Sequence, residues 1–296
     1  MTPPEPTGPV HATATWFRLH DPLHSRFGEA LRRSLDEVLD GQRTGRYDVA
    51  TLEKPEKTYL AAKVGIVCRA AHGFPAGTTH YLVAGHRVHP RFSFTGAWTL
   101  PREALGHVGL LLTADDERSR FSVGLLHITE DAVLPGSPER KYRLSPTGRR
   151  AIHWLVRSGD LPENFLLHLP AHTRDLILAD RVSGQRRINE LFRHVRDRII
   201  PREPVATIAH QTDPAKRVRD ARRHLRDEGI IILGHQREHP GIARELRLPV
   251  PAKGSWISTR IVPARPDDPR PATTIAGTSY VRARPTDTPQ PGPADY

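Results

Sequence analysis

A strand–turn–strand pattern at residues 80–98 constrains the fold most strongly. Two strand-like runs, Tyr81–Val83 and residues 87–94, flank the dipeptide Ala84-Gly85, which suits the tight turn of a hairpin. Two further apolar runs of strand length follow, at residues 108–113 and 121–128, with a polar, turn-like segment between them. Together these four runs predict a sheet as the core of the first half of the chain.

Helical periodicity surrounds this sheet. Apolar residues recur at helical spacing between residues 22 and 41, and a second helical pattern covers residues 49–71. Pro55 makes a continuous second helix unfavourable, so we expect that helix to begin close to the proline. A further helix is predicted around residues 149–156. The fold class predicted for the first half is therefore α/β, in the wider sense of mixed α+β.

The second half follows a different order of elements. Helical patterns at residues 188–199 and 204–210 precede Asp213 and Pro214, which suit the N-cap and first position of a third helix. That helix should end at Gly229, a residue common at helix C-termini. Strand-like runs at 230–233 and 256–262 follow, and the residues between them could form a wing. This order is typical of a winged helix-turn-helix.

Interruptions by glycine and proline suggest the domain boundaries. Such residues break the pattern at 157–164, which separates a domain at residues 15–160 from one at residues 161–262. Residues 1–14 and 263–296 are rich in proline and polar residues, so we expect a flexible tail at the start and a mostly flexible tail at the end. A last strand at 274–281 is the alternative for part of the second tail.

The charge of the chain points to a polyanionic partner. The net charge is +11 and the isoelectric point is near 10.3, as expected for a protein that binds nucleic acid. No run of about 18 apolar residues occurs, so we expect no membrane partner. The single cysteine, Cys68, excludes a disulfide framework and a cysteine-based zinc site. We therefore expect a cytoplasmic, nucleoid-associated protein.

The third helix of the second half has a basic face. Its apolar residues Val218, Ala221 and Leu225 share one side. Residues 186–226 contain 12 Lys and Arg against 5 Asp and Glu, which concentrates the positive charge in this region. Arginine can bind guanine or phosphate with two hydrogen bonds, so we expect DNA contacts here. A basic face that is merely solvated is the alternative. The candidate contacts are Lys216, Arg217, Arg219, Arg222, Arg223 and Arg226.

Four further cations are candidates for contacts with the DNA backbone. Arg43 and Arg46 lie in the segment Q-R-T-G-R, and Lys54 and Lys57 lie at the start of the second helical pattern. Ordinary surface cations are the alternative for all four, because phosphate contacts carry no sequence information.

Several collinear runs give the chain a family resemblance. They include L-D-E-V-L-D-G-Q-R-T-G-R-Y at 35–47, F-S-F-T-G-A-W at 92–98, P-E-N-F-L-L-H-L-P at 162–170 and E-G-I-I-I-L-G-H-Q at 228–236. The chain resembles the NaeI family of type II restriction endonucleases over nearly its whole length. The resemblance implies an N-terminal endonuclease-like PD-(D/E)xK core and a C-terminal domain with a catabolite-activator-like helix-turn-helix. It also implies a homodimer that acts on GC-rich double-stranded DNA.

The chain departs from the family at the cutting site. The resemblance implies a Glu on the second helix, an Asp on the first strand and an Asp-x-Lys on the next, with Mg²⁺ held by the carboxylates. The aligned residues here are Gly65, His80, His89 and Arg91. Imidazole is a poor ligand for Mg²⁺, and arginine cannot act as a base near neutral pH. No cofactor or metal is therefore expected.

The same replacements remove negative charge from the place where a phosphate would bind. Partial protonation of His80 and His89 would add to the attraction, and Arg91 could contact DNA directly. A transition-metal site at His80, His86 and His89 is the less favoured alternative, because residues 86 and 89 point to opposite faces of a strand. His107 lies beside an apolar run and is expected to be a core or second-layer histidine.

From these residues we expect a catalytically inactive relative of the family that binds specific or damaged double-stranded DNA. Its expected role is that of an accessory or targeting factor for a partner nuclease, such as a mismatch or restriction endonuclease, in DNA repair or restriction-modification. A winged-helix regulator of transcription or restriction is one alternative. An active type II restriction endonuclease with altered chemistry is the other.

Overall fold

The computed structural model describes residues 8–76, 79–136, 141–210 and 213–296. Contacts divide these residues into two compact units. The first unit contains residues 8–39 and Asp48–Asn164, and the second contains Asp40–Tyr47 and Phe165–Tyr296. The second unit thus includes a short segment that lies between two helices of the first in the sequence.

The first unit packs helices against a five-stranded sheet. Among the residues described there, the sheet has the order β1-β2-β4-β5-β8, in which β2 and β4 are parallel and the other neighbours antiparallel. Phe27, Leu31 and Leu35 on α2 and Leu60 on α4 are fully buried against Leu110, Leu112 and other strand residues. The elements are α1 Pro9–His20, α2 Ser25–Leu39, α4 Lys54–Ala71, β1 Tyr81–Val83, β2 His86–Phe92, β4 Val108–Asp115, β5 Arg120–His127 and β8 His153–Asp160.

Two parts of this unit differ from the sequence expectation. The first helix begins at Pro9 and buries Thr13 and Ala14, so residues 9–14 are not a flexible tail. The helix expected at 149–156 is wrong: α5 Pro146–Arg150 is short, and β8 begins at His153 because it pairs with β5. Pairing with a neighbouring strand overrides the local helical preference.

A smaller sheet completes the first unit. It has the order β3-β7-β6, with β3 Thr99–Pro101, β6 Val133–Pro135 and β7 Lys141–Leu144. Trp98 and Leu100 pack with Leu111 and Leu126 of the large sheet in a second apolar cluster. The large sheet is thereby covered on both faces.

The second unit has a helical part built on one core. Leu191 and Phe192 on α7, Val205 on α8 and Val218 on α9 belong to the same buried cluster. Ser183 caps α7, because its side chain accepts a hydrogen bond from the backbone N–H of Arg186. The helices are α3 Gly41–Thr44, α6 Ala171–Ile177, α7 Gly184–His194, α8 Arg202–Ala209, α9 Pro214–His224 and α10 His239–Glu245.

An antiparallel sheet packs beside these helices. Its order is β10-β11-β13-β12, and β9 also pairs with β11. The segment between β10 and β11, where the sequence suggested a wing, contains α10. The strands are β9 Ile200–Pro201, β10 Ile230–Leu233, β11 Ser255–Pro263, β12 Ala272–Ile275 and β13 Thr278–Arg282.

The last residues of the chain also pack onto the second unit. Residues 263–296 contain β12 and β13, and the hydroxyl of Tyr296 accepts a hydrogen bond from the backbone N–H of Ile232. The expectation of a mostly flexible tail therefore does not hold for this segment. Its alternation of β-branched and small polar residues supplies a paired strand despite the many prolines nearby. Overall, the structure is a mixed α and β fold with several sheets.

Within the described ranges, we found no helix that combines the length and the apolar character needed to span a bilayer.

Candidate nucleic-acid interface

Three histidine rings form a row in the first unit. The ring centroids of His80 and His89 are 5.5 Å apart, and those of His89 and His107 are 5.7 Å apart. His80 lies just before β1, His89 lies on β2, and His107 precedes β4, the parallel neighbour of β2. We call His80, His89 and His107 the histidine row.

The middle ring of the row is buried without a partner. His89 is 3% exposed, and neither of its ring nitrogens has a hydrogen-bond partner among the described residues. Leaving a buried polar group unpaired costs about 1–3 kcal/mol, so such groups occur where function or an additional ligand compensates. His80 and His107 are each half-buried. The middle ring is therefore the group most in need of an external partner.

His89 is uncharged near neutral pH. Burial lowers its pKa to about 4, with a further contribution from the positive charge of Arg91, while Glu103 opposes the shift. Without a bound anion the ring is therefore neutral, and the partial protonation expected beside a phosphate stays a prediction. Its neutral imidazole can donate one hydrogen bond and accept another.

Arg91 brings positive charge to the same face of β2. It lies two residues after His89 on β2. Because successive side chains of a strand point to opposite faces, residues two apart lie on the same face. Its Nη1 donates to the carbonyl of Pro90 at 3.0 Å. Burial lowers the pKa of Arg91, yet the guanidinium remains charged near neutral pH.

Gly65 packs beside β2 but not against the histidine row. A Cβ placed on Gly65 would meet the Pro90 Cγ at 3.5 Å, and the Tyr81 hydroxyl donates to the Gly65 carbonyl at 2.6 Å. Pro90 points to the face opposite His89 because successive strand residues alternate. The structure therefore brings His80, His89 and Arg91 together and places Gly65 against Pro90.

This set of side chains does not fit Mg²⁺. The ion binds oxygen ligands, whereas the residues aligned with the cutting site supply imidazole, guanidinium and no side chain at all. In the ranges with a described structure, no cluster of three or more His, Cys, Asp or Glu could hold a metal ion.

Sequence reasoning missed two members of this site. His107 was expected as a core or second-layer histidine and was not named as part of the site, yet its ring stacks on His89, and Glu103 acts electrostatically on both His89 and Arg91. The signal that could have found His107 is the parallel register, in which Val88 pairs with Val108 and so brings residue 107 near residue 89. That register depends on tertiary pairing and not on local pattern.

The basic helix α9 presents most of its predicted cations to solvent. Asp213 caps it by accepting a hydrogen bond from the N–H of Ala215 at 3.1 Å. Val218 and Ala221 are buried behind the basic face. The exposed cations, which we call the α9 basic face, are Lys216, Arg219 and Arg223 on the helix and Arg226 in the single turn Arg226–Glu228 that follows it. The Nε of Arg226 also donates to the carbonyl of Gly292 at 3.1 Å.

Two other arginines of this helix are less available. The Nε of Arg222 donates to the carbonyl of Ile232 at 2.8 Å, and its guanidinium lies over the Tyr296 ring at 5.9 Å. Burial lowers the pKa of Arg222. Arg217 is half-buried. Arg222 thus serves packing in this structure.

The four remaining candidates lie in two places. Arg43 and Arg46 belong to the second unit, where Arg43 is exposed and pairs with Asp40 at 2.9 Å and Arg46 is half-buried. Lys54 and Lys57 are exposed in the first turn of α4, in the first unit.

A surface cavity of about 470 Å³ lies elsewhere in the first unit. Its lining includes Trp98, Trp154, Arg120 and Arg149 near the ends of β4 and β5, and it includes none of the histidine row. The candidate site therefore lies outside this cavity and is identified by the chemistry of its side chains.

Comparison with known proteins places the chain in a family. A family model described as "Restriction endonuclease NaeI" matches residues 11–291. The chain belongs to the NaeI family of restriction endonucleases. The Type II restriction enzyme NaeI of Lentzea aerocolonigenes is 42% identical over 285 residues, which cover 93% of this chain and 90% of the relative.

This membership overturns the expected function. The chain was expected to be a catalytically inactive accessory factor and not an enzyme, but a relative 42% identical over 93% of the chain is a named restriction enzyme. The expectation was wrong because it rested on four positions of one site, whereas the similarity covers both units. The residues at this site are unsuitable ligands for Mg²⁺. This excludes cleavage through Mg²⁺ held by these side chains, but it does not exclude DNA cleavage by other chemistry.

Proposed function

We propose that this protein is a type II restriction endonuclease that binds specific double-stranded DNA and hydrolyses a phosphodiester bond in it. The observation that carries the proposal is the family match over residues 11–291, which includes elements of both units. The net charge of +11 supports a polyanionic substrate.

We assign the scissile phosphate to the first unit, beside the histidine row and Arg91. A guanidinium can hold a phosphate through two hydrogen bonds, and a neutral imidazole can donate or accept a proton. Because His80, His89 and Arg91 stand at the aligned cutting positions, the chemistry of cleavage differs from that which the family resemblance implies.

The second unit is proposed as the sequence-reading domain. Helices α7, α8 and α9 followed by the antiparallel pair β10–β11 support a winged helix-turn-helix, with α10 in the place of a simple wing. In this arrangement α9 would enter the major groove and its basic face would contact bases and phosphates. The two units would then be two domains, and the family resemblance supports a homodimer on GC-rich sites.

Cleavage of plasmid DNA tests the proposal. We expect the purified protein to convert supercoiled GC-rich plasmid into nicked or linear DNA, and Arg91→Ala to abolish most of that activity. Arg118→Ala is the matched control, because Arg118 is an exposed arginine that pairs with Asp115 in the turn between β4 and β5.

The assay should be run with EDTA and, separately, with Mg²⁺, Mn²⁺ or Zn²⁺, on DNA that the protein has been shown to bind. Lack of cleavage under all four conditions would reject the proposed enzyme. Cleavage that survives Arg91→Ala unchanged would place the reaction elsewhere.

A further inference from the structure

We propose that the histidine row and Arg91 form a site that binds a backbone phosphate of DNA directly, without a divalent cation. The inference rests on the proposed function only in taking DNA as the substrate. Its basis is the juxtaposition of one guanidinium and three imidazoles at a place where a metal would need carboxylates.

The charge balance of the site supports an anionic ligand. Arg91 carries a positive charge, and Glu103 is the carboxylate whose charge acts on both Arg91 and His89. Glu103 is exposed, so water screens its charge more than that of the half-buried Arg91. A site that contains the half-buried Arg91 and the screened Glu103 can bind a phosphate. The three carboxylates that the family resemblance implies would repel a phosphate unless a metal ion were bound.

The hydrogen-bonding state of His89 also supports an anionic ligand. Both ring nitrogens of His89 lack partners among the described residues, although the ring is buried. A phosphate oxygen, or a water bound to it, is an acceptor that the neutral N–H of His89 can satisfy. The rings of His80 and His107 flank that of His89, and both residues are half-buried, so part of the histidine row is open to solvent.

A transition-metal ion is the competing ligand for imidazoles. Zn²⁺ binds histidine nitrogens in a tetrahedral arrangement, and three rings are enough for an open site. The described residues contain no His, Cys, Asp or Glu group with suitable geometry, and the rings of His89 and His107 are stacked with an interplanar angle of 20°. We therefore favour phosphate, and the experiment includes Zn²⁺ as a separate outcome.

The test measures binding of the full chain to a fluorescent GC-rich duplex in EDTA and in Mg²⁺ at equal ionic strength. We expect the two Kd values to agree within about threefold, since no metal contributes to binding. Arg91→Ala should weaken binding in EDTA by about tenfold or more, and its salt slope should be smaller in magnitude by about 0.9. Arg118→Ala should change neither quantity.

A second variant separates a binding role from a structural one. His89→Leu replaces the unpartnered imidazole by an apolar side chain, so we expect the midpoint of denaturant unfolding to stay unchanged or rise. The same variant should weaken DNA binding in EDTA by about threefold to tenfold, which is the range for one lost hydrogen bond. His11→Gln, an exposed histidine on α1, is the control.

Three results would overturn the inference. They are binding that requires Mg²⁺, unchanged affinity and salt slope in both Arg91→Ala and His89→Leu, or one equivalent of Zn²⁺ that is lost in His89→Leu. Failure of the proposed enzyme is distinct from these results, because it would show as absent cleavage while metal-free binding at Arg91 persists.

Discussion

The two units hold positive charge in opposite ways. In the second unit, the α9 basic face exposes Lys216, Arg219, Arg223 and Arg226 to solvent above a buried apolar side. In the first unit, one half-buried arginine stands beside a buried histidine that is neutral near pH 7. Exposed charge acts over a Debye length and depends on salt, whereas a buried site acts only on contact. We infer that α9 governs encounter with DNA and that the histidine row governs the local fit of a phosphate.

The largest effect is expected for substitution of Asp116, a carboxylate that is buried in the first unit and accepts hydrogen bonds through both oxygens. Asp116 is 3% exposed; its carboxylate accepts hydrogen bonds from Arg32 at 2.5 Å and from Asn164 at 2.8 Å. Asp116→Ala removes both hydrogen bonds but leaves Arg32 with Asp36, at 2.7 Å, as its other carboxylate partner, so the free energy of unfolding of the protein should fall by about 3 kcal/mol in urea denaturation.

The neighbouring Asp115 provides the control for that substitution. Its ion pair with Arg118 is exposed, so Asp115→Ala should cost less than about 1 kcal/mol. Equal losses in the two variants would mean that burial does not distinguish the two carboxylates.

The next effect concerns the α9 basic face. Reversal of two exposed cations by Arg219→Glu and Arg223→Glu should weaken DNA binding about 100-fold and reduce the magnitude of the salt slope by about 1.8. Anisotropy titrations at several salt concentrations measure both quantities.

The matched control makes the same change in net charge on a different helix of the same unit. Arg244 and Arg247 are exposed on and just after α10, so Arg244→Glu with Arg247→Glu alters the overall field equally. Equal weakening by the two pairs would show that net charge alone, and not the α9 face, determines binding.

The sequence predicted the regular parts of the fold well. The hairpin of β1 and β2, helices α2 and α4, and the capped helix α9 all follow from periodicity, turn residues and caps. Such features are local, so a few neighbouring residues determine them. The wrong helix at 149–156 and the unexpected α10 lie where pairing or packing with distant residues decides the structure.

The candidate site was less predictable for the same reason. Exposure of Arg219 and Arg223 follows from the helical spacing, but the inward turn of Arg222 depends on Ile232 and Tyr296, which lie outside the helix in other parts of the unit. The neutral state of His89 depends on burial, which no local pattern reveals. Sequence alone thus located the charged residues but did not show how deeply each of them is buried.

A smaller effect should appear in the pH dependence of stability. The folded pKa of His89 is about 4, below the value of about 6.5 for an unfolded histidine. The unfolded state therefore binds more protons as pH falls from 6.5 to 4, and stability is lost over that window. Burial lowers the pKa of His72 and His239 too, so they act in the same direction.

The variant His89→Gln isolates the contribution of one ring. Between pH 7 and pH 5 the wild-type protein should lose about 2 kcal/mol more unfolding free energy than His89→Gln. Urea denaturation at the two pH values measures the difference, and His11→Gln is the control. An identical pH dependence in His89→Gln and wild type would show that the ring is accessible to protons in the folded protein.

The smallest effect tests the assignment of Arg222 to packing. Tyr296→Phe removes the hydroxyl that accepts from the N–H of Ile232 at 2.8 Å but keeps the ring under the Arg222 guanidinium. We expect a loss of about 1–2 kcal/mol of unfolding free energy, because the hydrogen bonds of the hydroxyl with Ile232 and with Arg222 are lost, with DNA affinity unchanged. If Tyr296→Phe weakened DNA binding as much as reversal of Arg219 and Arg223, Arg222 would belong to the contact surface and the contrast between the two kinds of arginine on α9 would fail.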